Sequence, residues 1–168
     1  MKIDWIVKRG YSIDKQLQLD GLSFDAFELI QKSTDRKATN RIKGKIVSRL
    51  AKELRSDCLE NSNGIDIAQI KYGAYCIAVG TGFEMDYTMR TSRVVYIGSG
   101  AVYERINAHL KDKLFEFASV LRSIPLRFYI TDLSSCENAL KVQRNLEQAL
   151  LQKFSEEIDT EFLLLNSR

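Results

Sequence analysis

The chain has few of the features that mark a membrane or secreted protein. It has no run of about eighteen apolar residues, which a helix needs to cross a bilayer, and its N-terminus is too short and too charged for a signal peptide. Its three cysteines, Cys58, Cys76 and Cys136, are odd in number and far apart, without a C-x-x-C pair. We interpret them as reduced thiols and expect a cytoplasmic protein with no membrane association.

Net charge is also small, at +3 for 168 residues, but its distribution is uneven. Residues 36–55 contain eight basic side chains and one acidic side chain. In contrast, residues 1–35 contain five basic and six acidic side chains, and residues 56–168 contain twelve and fifteen. A basic segment of this kind is typical of a surface that contacts nucleic-acid phosphates.

The basic segment also has the periodicity of an amphipathic helix. The polar side of that helix would be a cationic stripe, which includes Arg41, Lys45, Arg49 and Lys52. A contact to DNA, a solvated helix face and a surface that complements the acidic remainder of the chain all fit this stripe. A membrane-surface helix fits less well, because the apolar side has no aromatic residues.

Two short runs rich in β-branched and aromatic residues, 72–79 and 93–97, predict the strands of an antiparallel hairpin. Tyr75 lies in the first run and Tyr96 in the second. Because side chains alternate between the faces of a sheet, paired strands can place both phenols on one face.

After Gly98-Ser99-Gly100 the pattern becomes helical, and Arg105 and His109 stand four residues apart on one side of that helix. Two phenols, a guanidinium and an imidazole are therefore expected to converge at one end of a small sheet. Guanidinium pairs with phosphate in bidentate fashion, and imidazole and phenol can hold or relay protons, so the set suits phosphodiester chemistry. A metal-binding carboxylate is the missing part.

Gly73-Ala74-Tyr75, then Tyr96-Ile97-Gly98, then Arg105 with His109 resemble the GIY-YIG nuclease superfamily, and the resemblance covers residues 71–168. The family also places a Glu on a later helix and often an Asn near the end of the module. Glu147 and Asn166 match these two positions. Taken singly, each residue has an ordinary interpretation, such as a core tyrosine or a glutamate paired with Arg144; their common order favours the family.

The resemblance implies a DNA endonuclease that hydrolyses phosphodiester bonds with one divalent cation, Mg²⁺ or Mn²⁺, on Glu147. In that mechanism Tyr75, its pKa depressed by nearby cations, is the general base toward water and Tyr96 orients the water. His109 assists proton transfer, Arg105 neutralises the transition-state phosphate and Asn166 helps to hold the geometry.

The chain departs from the family in the hairpin, where twenty residues separate Tyr75 from Tyr96. The extra residues, 80–92, predict a projecting loop, and such insertions occur in family members that act as restriction enzymes. Arg90 and Arg93 are additional candidates for contacts with DNA. We therefore expect a restriction-type enzyme that forms a homodimer to cut both strands.

The remaining patterns predict an α+β fold with a small three-stranded antiparallel sheet flanked by helices. The third strand is expected at 126–131, after Pro125, and a long helix from Ser134 or Ser135 to about Glu157. Residues 1–65 form an N-terminal helical, basic addition that ends in a polar linker, 56–64, and residues 66–168 form the catalytic module. The alternative function is a catalytically inactive DNA-binding or protein-interaction module on the same scaffold.

Overall fold

The structure is a computed structural model, and it describes residues 3–87, 89–122 and 124–154. Helices and strands follow one another along the chain in this order: β1 Ile6–Tyr11, α1 Ile13–Leu19, α2 Ala26–Lys32, α3 Arg36–Asn61, β2 Gly73–Val79, β3 Met85–Asp86, β4 Thr91–Ser92, β5 Val94–Gly100, α4 Val102–His109, α5 Phe115–Val120, β6 Leu126–Asp132 and α6 Ala139–Leu151. A π-helical turn, Leu110–Leu114, joins α4 to α5. The α+β class is confirmed.

The main sheet has four strands in the order β1-β6-β2-β5, all antiparallel. The prediction of three strands is therefore wrong, because the N-terminal segment supplies an edge strand. In β1 the alternation of apolar and polar residues is hidden: Lys8 points inward and is 7% exposed, and the register shifts between Arg9 and Tyr11. A β-bulge of this kind interrupts the two-residue period by which strands are found in a sequence.

β1 is attached to α3 by a buried polar group. Lys8 donates from its ammonium to the carboxylate and the carbonyl oxygen of Asp57, at 3.2 and 3.0 Å, and the hydroxyl of Tyr11 donates to the same carboxylate. Burial raises the pKa of Asp57, but the hydrogen bonds from Tyr11, Asn61 and Lys8 outweigh it and keep that pKa below its usual value. This group ties the N-terminal strand to the helix that covers the sheet.

α3 is longer than the basic segment that predicted it, since it continues through residues 56–61 of the predicted linker. Cys58 explains the extension, because it follows Leu50 and Leu54 at four-residue spacing and is fully buried with them. Ser56 and Asn61 also donate side-chain hydrogen bonds within the last turns, both at 2.8 Å. The polar composition of this stretch reflects the outer face of a helix rather than a linker.

The two faces of the sheet have different coverings. Tyr75, Ile77 and Phe128 lie on one face, in the large core that α3, α4 and α5 close. Cys76 and Ile97 lie on the opposite face, where Phe154, beyond the end of α6, packs on them. In the described residues, no helix is long and apolar enough to span a membrane.

α6 begins at Ala139 rather than at Ser134 or Ser135, which lie in turns. Its N-cap is Asn138, with a positive φ of 57°. The predicted loop between the hairpin strands contains a small ladder of β3 with β4. This insertion is held against the end of α6, because the Tyr87 ring meets the Phe154 ring edge-on at 5.3 Å and the Met89 amide donates to the Phe154 carbonyl at 3.2 Å.

Candidate active site

The two phenols named by the sequence lie on the same face of the sheet. In the β2–β5 pairing Tyr75 is opposite Gly98 and Tyr96 is opposite Ile77, so the tyrosines are diagonal neighbours. Their rings stack with 6.0 Å between centroids and 10° between planes. Tyr75 is fully buried and Tyr96 is 8% exposed.

Gly98 makes this stacking possible. A Cβ on Gly98 would lie 2.4 Å from the Tyr75 hydroxyl oxygen and 2.9 Å from Cε1 of Tyr96, which is closer than atoms approach without moving. The Tyr75 phenol therefore passes over the backbone of the edge strand β5. Its hydroxyl is buried and has no hydrogen-bond partner within the described part of the chain.

α4 adds His109 and Arg105 to the phenols. The imidazole centroid lies 4.1 Å from that of Tyr96 and 6.2 Å from that of Tyr75. Its Nε2 is buried and, among the described residues, finds no hydrogen-bond partner. Arg105, one turn earlier, is exposed, and its side chain folds back toward Gly100, whose φ of +122° suits glycine.

Glu147 lies in α6 and is half-buried. Its Oε2 accepts a hydrogen bond of 2.7 Å from the Ser99 hydroxyl, on the edge strand next to Gly98. No ion pair joins Glu147 to Arg144, or to any other described residue. The carboxylate acts on the pKa of both phenols, which places it within electrostatic reach of Tyr75 and Tyr96.

Ser99 is the residue of this site that the sequence did not single out. It follows the second tripeptide directly, and strand alternation places it on the face opposite to Tyr96, toward α6. A polar side chain that is only 8% exposed in a strand needs a partner, and Glu147 is that partner. The position was visible in the sequence, but its partner depends on how α6 packs.

The expected depression of the Tyr75 pKa is wrong for the protein by itself. Burial raises the pKa of Tyr75 well above its usual value, and Tyr96 and Glu147 raise it further; Arg105 acts in the expected direction but is outweighed. Burial also raises the pKa of Tyr96. Both phenols are therefore protonated near neutral pH.

The pKa of His109 is lowered, whereas those of the two phenols are raised. Burial and the nearby charge of Arg105 lower its pKa from 6.5 to about 4, with Lys113 adding to the effect and Asp112 opposing it. The imidazole is thus neutral at pH 7, and one of its two ring nitrogens is an acceptor. Near pH 7 the His109 imidazole is thus a neutral proton acceptor that lies against the Tyr96 ring.

A metal ion would depend on Glu147. Among the residues that the structure describes, no three His, Cys, Asp or Glu side chains form a metal-binding group. Mg²⁺ often uses only one or two protein carboxylates and completes its shell with water and phosphate oxygens. Because only one oxygen of Glu147 is engaged by Ser99, the other oxygen fits this type of site.

The remaining predicted residues have no contact with the phenols among those that the structure describes, or they lie outside the described residues. On α3, Lys45 and Arg49 both pair with Asp20, whereas the exposed side chains of Arg41 and Lys52 form no ion pair with a described residue. In the insertion, the Arg90 guanidinium lies over the Phe154 ring at 5.4 Å, and Arg93 pairs with Glu84 at 3.0 Å. Asn166 lies outside the described residues.

Comparison of the chain with models of protein families, with curated proteins and with solved structures found no match. The resemblance to GIY-YIG nucleases therefore stays a prediction from the sequence.

Proposed function

We propose that the protein is a divalent-metal-dependent DNA endonuclease of the GIY-YIG type. The observation that carries this proposal is the convergence of residues from four separate elements. Tyr75 and Tyr96 stack on each other, and the His109 ring packs against Tyr96. The Tyr75 phenol passes over Gly98, and the next residue, Ser99, donates a hydrogen bond to Glu147. A guanidinium, a carboxylate and a proton acceptor around one strand edge are the groups that phosphodiester hydrolysis requires.

The side chains divide the chemical work in this proposal. Arg105 is exposed and pairs with the phosphate, whose charge grows in the transition state. His109, neutral near pH 7, accepts the proton of the attacking water, and the stacked phenols fix the position of the imidazole. Glu147 would hold Mg²⁺ or Mn²⁺, and the bound ion would stabilise negative charge on phosphate and leaving-group oxygens.

The assignment is tested by incubating the purified protein with supercoiled plasmid and Mg²⁺, with EDTA as the control. We expect nicking or linearisation that EDTA abolishes. Glu147→Ala should abolish cleavage, and Arg105→Ala should slow it by roughly 10²–10³-fold, the usual cost of losing one electrostatic group. Arg144→Ala and Glu104→Ala are the matched controls, because both side chains are exposed on the same two helices.

Each control variant should cleave at the wild-type rate. Retained cleavage by Glu147→Ala, with a far-UV spectrum like that of the wild type, would reject the metal assignment. We further propose the restriction-type activity and the homodimer inferred from the long insertion. Sequencing of cleaved ends on a complex DNA substrate would show whether the cut depends on sequence.

A catalytically inactive DNA-binding or protein-interaction module is the second candidate. The burial of Tyr75 favours it, because a fully buried phenol with a raised pKa is also what a purely structural tyrosine shows. A protein that binds DNA with and without EDTA, and cleaves none, would support DNA binding alone. Absence of both binding and cleavage would favour the protein-interaction module.

A further inference from the structure

The outer face of α3 carries a row of basic side chains. The inner face is buried in the core; its residues are Ile46, Val47, Leu50, Ala51, Leu54 and Cys58. With about 3.6 residues per turn, the side chains on the opposite face are those of Lys37, Arg41, Lys45 and Lys52, here called the outer row. All four are exposed.

Ion pairs within the protein use several cations of α3. Asp20, at the end of α1, pairs with Lys45 at 3.1 Å and also with Arg49, which in addition donates to the Gln16 carbonyl at 3.1 Å. These contacts hold α1 against α3. The cations concerned are therefore already part of the packing of the N-terminal region.

Two further cations of α3 bind other elements. Lys43 lies 3.3 Å from Glu116 of α5, and Arg55 makes two parallel hydrogen bonds of 2.7 and 2.6 Å with Asp66. The bidentate geometry of the second pair makes it a specific contact. Half of the eight basic residues of the segment 36–55 thus balance acidic groups of the same chain.

Three members of the outer row remain without such a partner. The side chains of Lys37, Arg41 and Lys52 make no ion pair with any residue that the structure describes. Lys37 and Arg41 are one turn apart, and Lys52 continues the row toward the C-terminal end of α3. Their charge is available to an external anion.

The length of the row matches a nucleic-acid backbone. At about 1.5 Å per residue, the fifteen steps from Lys37 to Lys52 cover about 22 Å. One strand of duplex DNA advances about 3.4 Å along its axis per phosphate, so the row faces about six phosphates. A membrane is a poorer fit, because residues 36–55 contain no aromatic side chain to enter a bilayer.

We propose that Lys37, Arg41 and Lys52 form a docking surface for the phosphate backbone of duplex DNA, whereas Lys45 and Arg49 act mainly as anchors to Asp20. The identity of the partner rests on the proposed function. The docking surface itself is separate from the phenols and Glu147, and it would bind DNA without regard to sequence. It also extends the contact with the substrate beyond the place of cleavage.

The test measures binding of a fluorescent 20-base-pair duplex by anisotropy in EDTA, between 50 and 200 mM salt. The full-length chain carries Glu147→Ala, so that cleavage cannot interfere. The variant Lys37→Gln/Arg41→Gln/Lys52→Gln should lose about tenfold or more in affinity at 50 mM salt, and its log–log salt slope should fall by about 2–3, since each phosphate contact contributes about 0.9.

The matched control is Lys111→Gln/Lys141→Gln/Lys153→Gln, which removes the same charge from exposed positions on other elements. It should keep the wild-type affinity and slope. Equal losses in both triple variants, or none in the α3 variant, would overturn the docking surface. Binding to anionic vesicles but not to DNA would overturn it as well.

The same variants separate this inference from the proposed function. If the wild-type chain cleaves DNA and the α3 variant binds normally, the nuclease stands and the docking surface fails. If the α3 variant loses binding as expected but the wild-type chain never cleaves, the docking surface stands and the nuclease fails. Thermal unfolding of each variant verifies that lost binding is not lost structure.

Discussion

Gly98 is the residue on which the packing of the two phenols depends. The space that its missing Cβ leaves is filled by the Tyr75 hydroxyl and the edge of the Tyr96 ring. Tyrosine rings are rigid and Tyr75 is fully buried, so neither ring has room to yield. The tripeptide motif therefore has a packing reason at this position, independent of any catalytic role.

Gly98→Ala should lower the free energy of unfolding by about 1–3 kcal/mol, the range found when extra atoms are forced into a packed core. Gly44→Ala is the matched control, because no atom lies within 4 Å of the Cβ it would add and a glycine in a helix interior costs about 0.5–1 kcal/mol relative to alanine. Urea unfolding should thus move the two midpoints in opposite directions. A Gly98→Ala midpoint equal to that of the wild type would contradict the packing argument.

His109 gives the protein a specific pH dependence of stability. In the folded protein its pKa is lowered from 6.5 to about 4, so between these values the unfolded chain binds a proton that the folded chain does not. The free energy of unfolding must then fall as the pH drops from 6.5 toward 4. The contribution of the neutral His109 side chain should be fully present above pH 6.5. Carboxylates whose pKa is lowered, such as those of Glu28 and Asp57, lose their contribution mainly below about pH 5.

Urea unfolding at a series of pH values measures this dependence. Because His109 is the only histidine, a slope between about pH 5 and 6.5 can be assigned to it, above the range in which carboxylates are protonated. His109→Gln should flatten the curve in that window and leave the loss of stability at lower pH unchanged. An equally steep curve in the variant would show that the imidazole is not buried in its neutral form.

At the scale of elements, the sequence predicts well those helices and strands whose residue period is regular. The strands of Tyr75 and Tyr96 and the strand after Pro125 lie where their composition predicted them, within about three residues. The amphipathic pattern of residues 36–55 predicted a helix, and the buried face of α3 includes Ile46, Leu50 and Leu54. In each case one face of the element is buried continuously, so the pattern is visible.

The elements that the sequence missed are those held by contacts distant along the chain. β1 is stabilised by pairing with β6 and by the contact of Lys8 with Asp57, about fifty residues later in the chain. The residues of β1 themselves indicate neither contact, because a lysine is not expected on the buried face of a strand. The late start of α6, in contrast, has a local cause. The Asp132 carboxylate accepts from the Ser134 amide at 2.9 Å, which stabilises a turn where the serine predicted a helix cap.

The site shows the same division. The sequence placed Tyr75, Tyr96 and His109 together, because a hairpin and a following helix are local and their geometry is constrained. The contact of Glu147 with Ser99 and the direction of the Tyr75 pKa depend on burial, which only the packed fold determines. Spacing along the chain could not have shown either.

At the scale of the whole molecule, the N-terminal residues are part of the same core as the sheet that carries the phenols. Leu17 and Leu29 lie in one cluster with Tyr75 and Ile106. Trp5, the only tryptophan, packs on the opposite face against the cluster of Cys76, Ile97 and Phe154. Residues from both predicted domains therefore share both hydrophobic clusters, which leads us to expect a single cooperative unfolding unit.

The Asp57 group is the test of this expectation. Asp57→Ala leaves the buried Tyr11 hydroxyl without its acceptor and the buried Lys8 ammonium with only the carbonyl oxygen of residue 57. Because a buried polar group without its partner costs about 1–3 kcal/mol, we expect a loss of stability of that order. Glu60→Ala, an exposed change on the same helix, should alter stability by no more than about 0.5 kcal/mol.

Two probes show whether the loss is shared by the whole chain. Trp5 fluorescence reports the N-terminal segment, and far-UV circular dichroism reports all helices and strands together. If the chain unfolds as one unit, both probes should give the same midpoint in the wild type and shift together in Asp57→Ala, since β1 and β6 belong to one sheet. An earlier fluorescence transition in the variant would instead mean that residues 1–65 form a separate domain, docked on a catalytic module that is stable without them.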